Sequence, residues 1–154
     1  MIQKKMIDIE TLHQMWEEDS SIDEFALDET SRKGANLHSK YLELYNIARL
    51  TLKKRELELT EMREKKKRYY GGKMTQEEMD QHQWPYDPFQ GESKPLKSDM
   101  PEFINSDSDI QKIQIKIEYA KVVVEALKEI LDTLRWRHQT IRNIIEWRKF
   151  EAGN

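Results

Sequence analysis

Ile113, Ile117, Ala120, Val124, Leu127, Leu131, Leu134, His138, Ile141 and Ile145 follow one another at alternating steps of four and three. That spacing is a heptad seam, which requires a helix throughout and a second apolar surface for the seam to close against. Ser106 or Asp107 can cap this helix, and Gly153 ends it after about Ala152. Ile113, Ile115 and Ile117 also alternate with polar residues, which leaves a short strand over 110–118 as the lesser alternative.

The remainder of the chain reads as helical up to its middle. Ile9, Leu12, Met15 and Trp16 share one face of a helix expected over Ile9 to Asp19. Ser21 and Glu24 have capping-box spacing and are expected to open the next helix. From Phe25 to Tyr70 there is no proline, and Leu37, Tyr41, Leu44, Ala48, Leu52, Leu59 and Met62 keep an apolar stripe, interrupted near Arg55. Gly71 and Gly72 then stop the helix. All four prolines fall within residues 73–105, which are expected to be irregular. Within them the segment WPYDPF, Trp84 to Phe89, is too aromatic for a plain linker. It is expected to dock on a helix or a neighbouring subunit, stacking on a ligand being the alternative.

The expected fold is therefore all-α, with long helices and coiled-coil-like packing. Residues 1–72 form an acidic helix and a long helix, 73–105 an acidic loop, and 106–154 a C-terminal oligomerisation helix. A helix of about 45 residues is roughly 68 Å long, whereas a compact globule of this chain length has a radius of gyration of about 15 Å. One chain cannot easily cover two such helices. Self-association is expected to bury the rest, through Ile117, Val124, Leu127, Leu131, Leu134, Ile141 and Ile145 and including the remaining apolar surface of Val122, Val123, Ile130 and Ile144.

Charge is segregated although the net value is only −3. Residues 1–31 and 74–109 each carry 2 cations against 9 anions, while residues 53–73 carry 9 cations against 4 anions and residues 135–150 carry 5 against 1. Local patches rather than net charge decide binding to a polyanion.

Several chemistries lack their residues. There is no cysteine, which removes disulfides and thiolates. A phosphate-binding G-x-x-x-x-G-K-[ST] loop is absent: Gly72–Lys73–Met74–Thr75 lacks the upstream glycine, and Gly34, Ser39 and Lys40 stand in the wrong order. The histidines at 13, 38, 82 and 138 are isolated, and His138 is expected to be packed in the seam. No water-excluded cleft is evident to tune the surface carboxylates for acid–base work. The chain is not expected to be an enzyme or to need a cofactor or metal. No segment reaches about 18 consecutive apolar residues, so neither a membrane span nor a signal peptide is expected.

What remains is the run KKKRYYGGK. Single-stranded nucleic acid needs cations that follow the phosphates and flat side chains for the bases. Arg63, Lys65, Lys66, Lys67, Arg68 and Lys73 supply the first, and Tyr69 and Tyr70 the second. Arg135, Trp136, Arg137, Arg142, Trp147, Arg148 and Lys149 repeat the recipe near the C-terminus. No duplex-reading motif is visible. On these residues alone, a coiled-coil scaffold with solvated charge runs is the competing reading.

Ile22–Asp23, Ser39–Lys40–Tyr41–Leu42, the Tyr69–Tyr70 pair before Gly72 and Phe150–Glu151–Ala152–Gly153 occur in an order and spacing that resembles the UvsY-type recombination mediators of T4-like phages. The resemblance runs from about Ser21 to Gly72 and from Asp99 to the C-terminus. It implies a non-enzymatic homo-oligomeric ring of roughly six or seven subunits. It further implies binding to single-stranded DNA and partnership with a RecA-like phage recombinase and a phage single-strand-binding protein, in the host-cell cytoplasm. The family's DNA-binding motif, Lys-Ala-Arg-Leu, places its lysine on Glu64 and its arginine on Lys66, so only the second position is cationic here.

Overall fold

The structure is a computed structural model that describes residues 4–153, and its regular elements are all α-helices. These are α1 (Ile9–Asp19), α2 (Leu27–Tyr70), α3 (Gln76–His82), α4 (Met100–Asn105) and α5 (Ser108–Glu151). The all-α expectation holds, and residues 110–118 are helical throughout. Two compact units divide the chain, one from its start to Leu52 together with Tyr119 onward, the other spanning Lys53–Glu118. The helices α2 and α5 each contribute to both.

In the first unit, α1 begins where the Asp8 carboxylate accepts from the Thr11 backbone N–H at 2.9 Å. Its apolar face buries Leu12 completely in a core with Tyr41 and Ala48 of α2 and with Val123, Leu127, Ile130, Leu131 and Leu134 of α5. Trp16 meets the Tyr41 ring edge to face at 5.5 Å. The C-terminus of α1 is held by Arg137, whose guanidinium donates to the carbonyls of Asp19 and Ser21, each at 2.8 Å. A cation at these otherwise unpaired carbonyls also complements the helix dipole.

The α5 seam is thereby revised. Leu127, Leu131, Leu134 and Ile141 are buried within one chain, together with Val123 and Ile130, which were expected to be covered by self-association. Val124, Ile144 and Ile145 are half-buried, and only Val122 of this group is exposed. His138 points to solvent, and Arg137 takes the interior position. An arginine stem can line a core while its head reaches the α1 carbonyls; a histidine is too short to do both.

The start of α2 also differs from expectation. Ser21 donates its hydroxyl back to the Glu18 carbonyl, while Asp23 accepts from the Phe25 N–H and makes a turn. The helix starts at Leu27, after that turn. It then continues past Arg55 without a break.

In the second unit the stretch expected to be irregular carries two short helices. Thr75 and Glu78 form a reciprocal capping box at the start of α3, and Pro101 stands in the first turn of α4. Asp107 caps α5 by accepting from the N–H groups of Asp109 at 2.8 Å and Ile110 at 3.4 Å. The core of this unit gathers Tyr69, Tyr70, Met74, Met79, Ile104 and Ile110, with Trp84, Phe89 and Phe103 packed against them.

Candidate nucleic-acid interface

The basic run closes α2, and both glycines behind it are required. A Cβ on Gly71 would lie 2.8 Å from the Lys67 carbonyl oxygen, and Gly72 adopts φ +70°, in the left-handed region. The chain can then turn back, so that Lys73 donates its N–H to the Arg68 carbonyl at 2.9 Å.

Helical periodicity divides the run between inside and outside. Leu59, Met62, Lys66 and Tyr69–Tyr70 fall on the inward face, and Lys66 is only 3% exposed. Its ammonium lies 3.1 Å from Asp107 Oδ2 and 2.9 Å from Asp109 Oδ2, and 3.8 Å from the centre of the Trp84 ring. An ammonium clamped this way has no free side for a phosphate. Burial works to raise the Asp107 carboxyl, but hydrogen bonds from Tyr70 and Lys66 outweigh it and hold the group below its ordinary range.

Both tyrosines are also turned inward. Tyr69 donates its hydroxyl to the Pro85 carbonyl at 2.7 Å, and its ring lies 5.0 Å from Trp84. Tyr70 donates to Asp107 Oδ2 at 2.5 Å and packs against Phe89 and Phe103. Burial and the Asp107 carboxylate push the Tyr70 hydroxyl well above its ordinary pKa. The aromatic segment Trp84 to Phe89 thus docks on the chain's own α2. A recess of about 310 Å³ beside the pair is lined by Lys66, both tyrosines, Trp84, Asp107 and Asp109. Two carboxylates make it a poor seat for phosphate.

The outward cations differ in freedom. Arg68 grips Glu78 with two bonds of 2.8 and 3.0 Å, tying α2 to the first turn of α3. Lys67 pairs with Glu64 at 3.2 Å, but both are exposed, and a surface pair of this kind contributes about 0–1 kcal/mol. Arg63 is half-buried, with its Nε enclosed and unpartnered. Lys65, half-buried, and Lys73, exposed, make no ion pair among the described residues. Of the cations in the run, these two and Lys67 are the readiest to meet phosphate. Sequence reasoning did not find the Lys66–Asp107–Asp109 cluster; the only available signal was the three–four–three spacing of Leu59, Met62, Lys66 and Tyr69. Among the described residues no group of histidine, aspartate or glutamate side chains could hold a metal ion, and no helix is long and apolar enough to cross a membrane.

A family model described as "Recombination, repair and ssDNA binding protein UvsY" matches residues 15–154. No curated protein matches the chain. Among solved structures it is similar to the bacteriophage T4 recombination mediator protein UvsY. The lattice type II crystal structure aligns with a TM-score of 0.79 at 22% identity, covering 95% of this chain and 98% of that one. The type I structure aligns at 0.76 and 21%, covering 92% and 98%. The type IV structure aligns at 0.77 and 19%, covering 94% and 99%. The structural likeness shows a shared fold; the family rests on the sequence match.

Proposed function

Because the chain belongs to the UvsY family of recombination, repair and single-stranded-DNA-binding proteins, we propose that it is a mediator that binds single-stranded DNA and helps load a RecA-like phage recombinase onto DNA covered by single-strand-binding protein. A mediator role in recombination, without catalysis, is what membership carries at the general level. The observation that supports the DNA contact is the arrangement at the end of α2. Lys65, Lys67 and Lys73 are set on a base that Lys66, Tyr69 and Tyr70 make rigid by packing inward. In this reading Arg63 and Arg68 flank the contact, and Lys66 and the tyrosines position it.

Assembly into a homo-oligomeric ring belongs to the same proposal. Leu50 and Val122 of the first unit and Leu57 and Ile115 of the second remain exposed, as surfaces that a second copy would cover. A ring repeats the cationic patch, and repetition raises avidity without a new kind of contact.

Fluorescence anisotropy of a labelled oligothymidylate, titrated at a series of salt concentrations, tests the reading. Each phosphate neutralised on a single strand contributes about 0.7 to the slope of log affinity against log salt. Replacing Lys65, Lys67 and Lys73 with alanine is expected to weaken binding and to flatten that slope by about 2. An unchanged slope means that these lysines are solvated decoration. Loading is measured separately, as recombinase filament formation on a strand already covered by single-strand-binding protein.

A further inference from the structure

The first compact unit carries an acidic and aromatic side that neither its core nor the α2 patch accounts for. Between α1 and α5 lies an open groove of about 370 Å³. Trp16, Ala126 and Ile130 form its floor, and His13 and Glu17 of α1 face Glu129 of α5 across its rim. Both glutamates are exposed and make no ion pair among the described residues.

An aromatic stripe continues from the groove along α5. Trp136, Trp147 and Phe150 are 68%, 61% and 72% exposed, and Trp147 and Phe150 are stacked with centroids 5.6 Å apart. At 100° per residue, Glu129 and Trp147 each stand about 20° from Trp136 around the helix, and Phe150 about 40°. The rings therefore share the side of α5 that borders the groove. In water they forgo the burial that normally stabilises such side chains.

Charge on this side has one sign. Between Glu125 and Glu151, the positions within about 60° of Trp136 include the exposed Glu125, Glu129, Asp132 and Glu151 and no lysine or arginine. The nearest cations around the helix, Lys128 and Arg135, stand about 80° and 100° away, and Arg135 lies 3.8 Å from Asp132. The opposite wall, α1, has no lysine or arginine along its length.

We propose that this side of the first unit is a docking surface for a basic amphipathic helix of a partner protein. Its apolar stripe covers Trp16 and the exposed rings, and its lysines and arginines meet the carboxylates along the margins. Apolar anchors at helical spacing with complementary charge beside them are how a helix seats in a groove. From Ala126 to Phe150 the surface is about 36 Å long, which accommodates a helix of roughly 20 residues. Carboxylates repel phosphate, so the side does not suit nucleic acid. The same side of a second copy would set carboxylate against carboxylate. The inference does not depend on the DNA contact at the end of α2, with which it shares no residue.

The probe is a labelled peptide of roughly 20 residues, made of lysine and leucine with the leucines on one helical face. A peptide of the same composition in scrambled order is the control. Anisotropy is followed with wild type and with the double variants Trp136→Ala/Trp147→Ala and Glu17→Lys/Glu129→Lys, alongside sedimentation velocity and thermal melting. Wild type is expected to bind the amphipathic peptide about tenfold or more tightly than the scrambled one, and its tryptophan emission should shift to the blue as the rings are covered. The tryptophan variant should lose about tenfold in affinity at unchanged salt dependence. The glutamate variant should lose about tenfold or more, with a flatter salt dependence. Neither should lose affinity for oligothymidylate or change in melting or sedimentation, because all four side chains are exposed. If wild type ignores the amphipathic peptide, binds the scrambled one as tightly, or binds no better than both variants, the inference falls and the DNA reading stands. A loss of oligothymidylate affinity would make this side a nucleic-acid contact, and altered sedimentation a contact between copies; either overturns it. Should the tryptophan variant melt early, the glutamate variant decides alone.

Discussion

Lys66 Nζ lies 3.1 Å from Asp107 Oδ2, with both side chains at least 94% buried. The pair joins the end of α2 to the cap of α5. Removing one member of a buried pair leaves the other unpaired, which costs about 3–5 kcal/mol. Lys66→Ala is therefore expected to lower the melting temperature sharply. Lys67→Ala, one residue on and exposed, should leave melting unchanged and weaken DNA binding. Thermal melts and anisotropy on the two variants check this. If both variants behave alike, the division of the basic run into inner and outer cations is wrong.

The tyrosine pair gives a graded set. Tyr70→Phe loses a hydrogen bond to a carboxylate, worth about 1.5–3 kcal/mol, whereas Tyr69→Phe loses one to a carbonyl, worth about 0.5–1.5 kcal/mol. Tyr69→Ala opens a cavity in the aromatic cluster and should cost about 3–5 kcal/mol. Urea unfolding measures all three. Affinity for oligothymidylate should survive both phenylalanine changes. A Tyr69→Ala protein with wild-type stability and weakened binding would instead mean that the rings meet bases.

Acid should loosen the second unit through Asp107. Its carboxyl is held below the ordinary range in the folded state, so it contributes stability above the unfolded value of about 4 and loses it as pH falls through the folded value. Asp107→Asn cannot titrate at that position. The gap in melting temperature between wild type and Asp107→Asn should be widest near neutrality and narrow below about pH 4. A gap that stays constant into that range would assign the effect to the α5 cap alone.

Local signals in the sequence located most of the fold. The apolar face of Ile9, Leu12, Met15 and Trp16, Asp107 as a cap and the Gly71–Gly72 stop are each local features of the chain, so α1, the end of α2 and the start of α5 were legible. The four-residue capping box proved ambiguous. It occurs as Ser21–Glu24 and as Thr75–Glu78, and only the second is formed. Asp23 diverts the first into a turn, a competition between side chain and backbone that spacing does not reveal. For the candidate site, composition counted the cations but not their directions. The partner that draws Lys66 inward comes from the far side of α3 and α4, and the Tyr70–Asp107 bond likewise spans 37 residues. The seam was legible as a buried face, but not whose surface covers it, since pattern alone cannot separate an intrachain partner from a second copy.

That last ambiguity yields the sharpest test of assembly. Leu131 is 8% exposed in the core with Leu12 and Tyr41, while Val122, on the same helix, is 55% exposed. Aspartate at Leu131 would bury an unpaired charge inside one protomer. It should therefore abolish cooperative melting, and any loss of assembly would follow from unfolding. Aspartate at Val122 meets only water in the protomer, so the helix content should persist. If copies associate over this face, Val122→Asp should sediment as a smaller species and melt at a temperature that no longer depends on protein concentration. Sedimentation velocity and circular dichroism on both variants distinguish the cases. A folded but dissociated Leu131→Asp would return the seam to the subunit interface. A fully assembled Val122→Asp would move that interface elsewhere, to the exposed leucines of α2, Leu50 and Leu57.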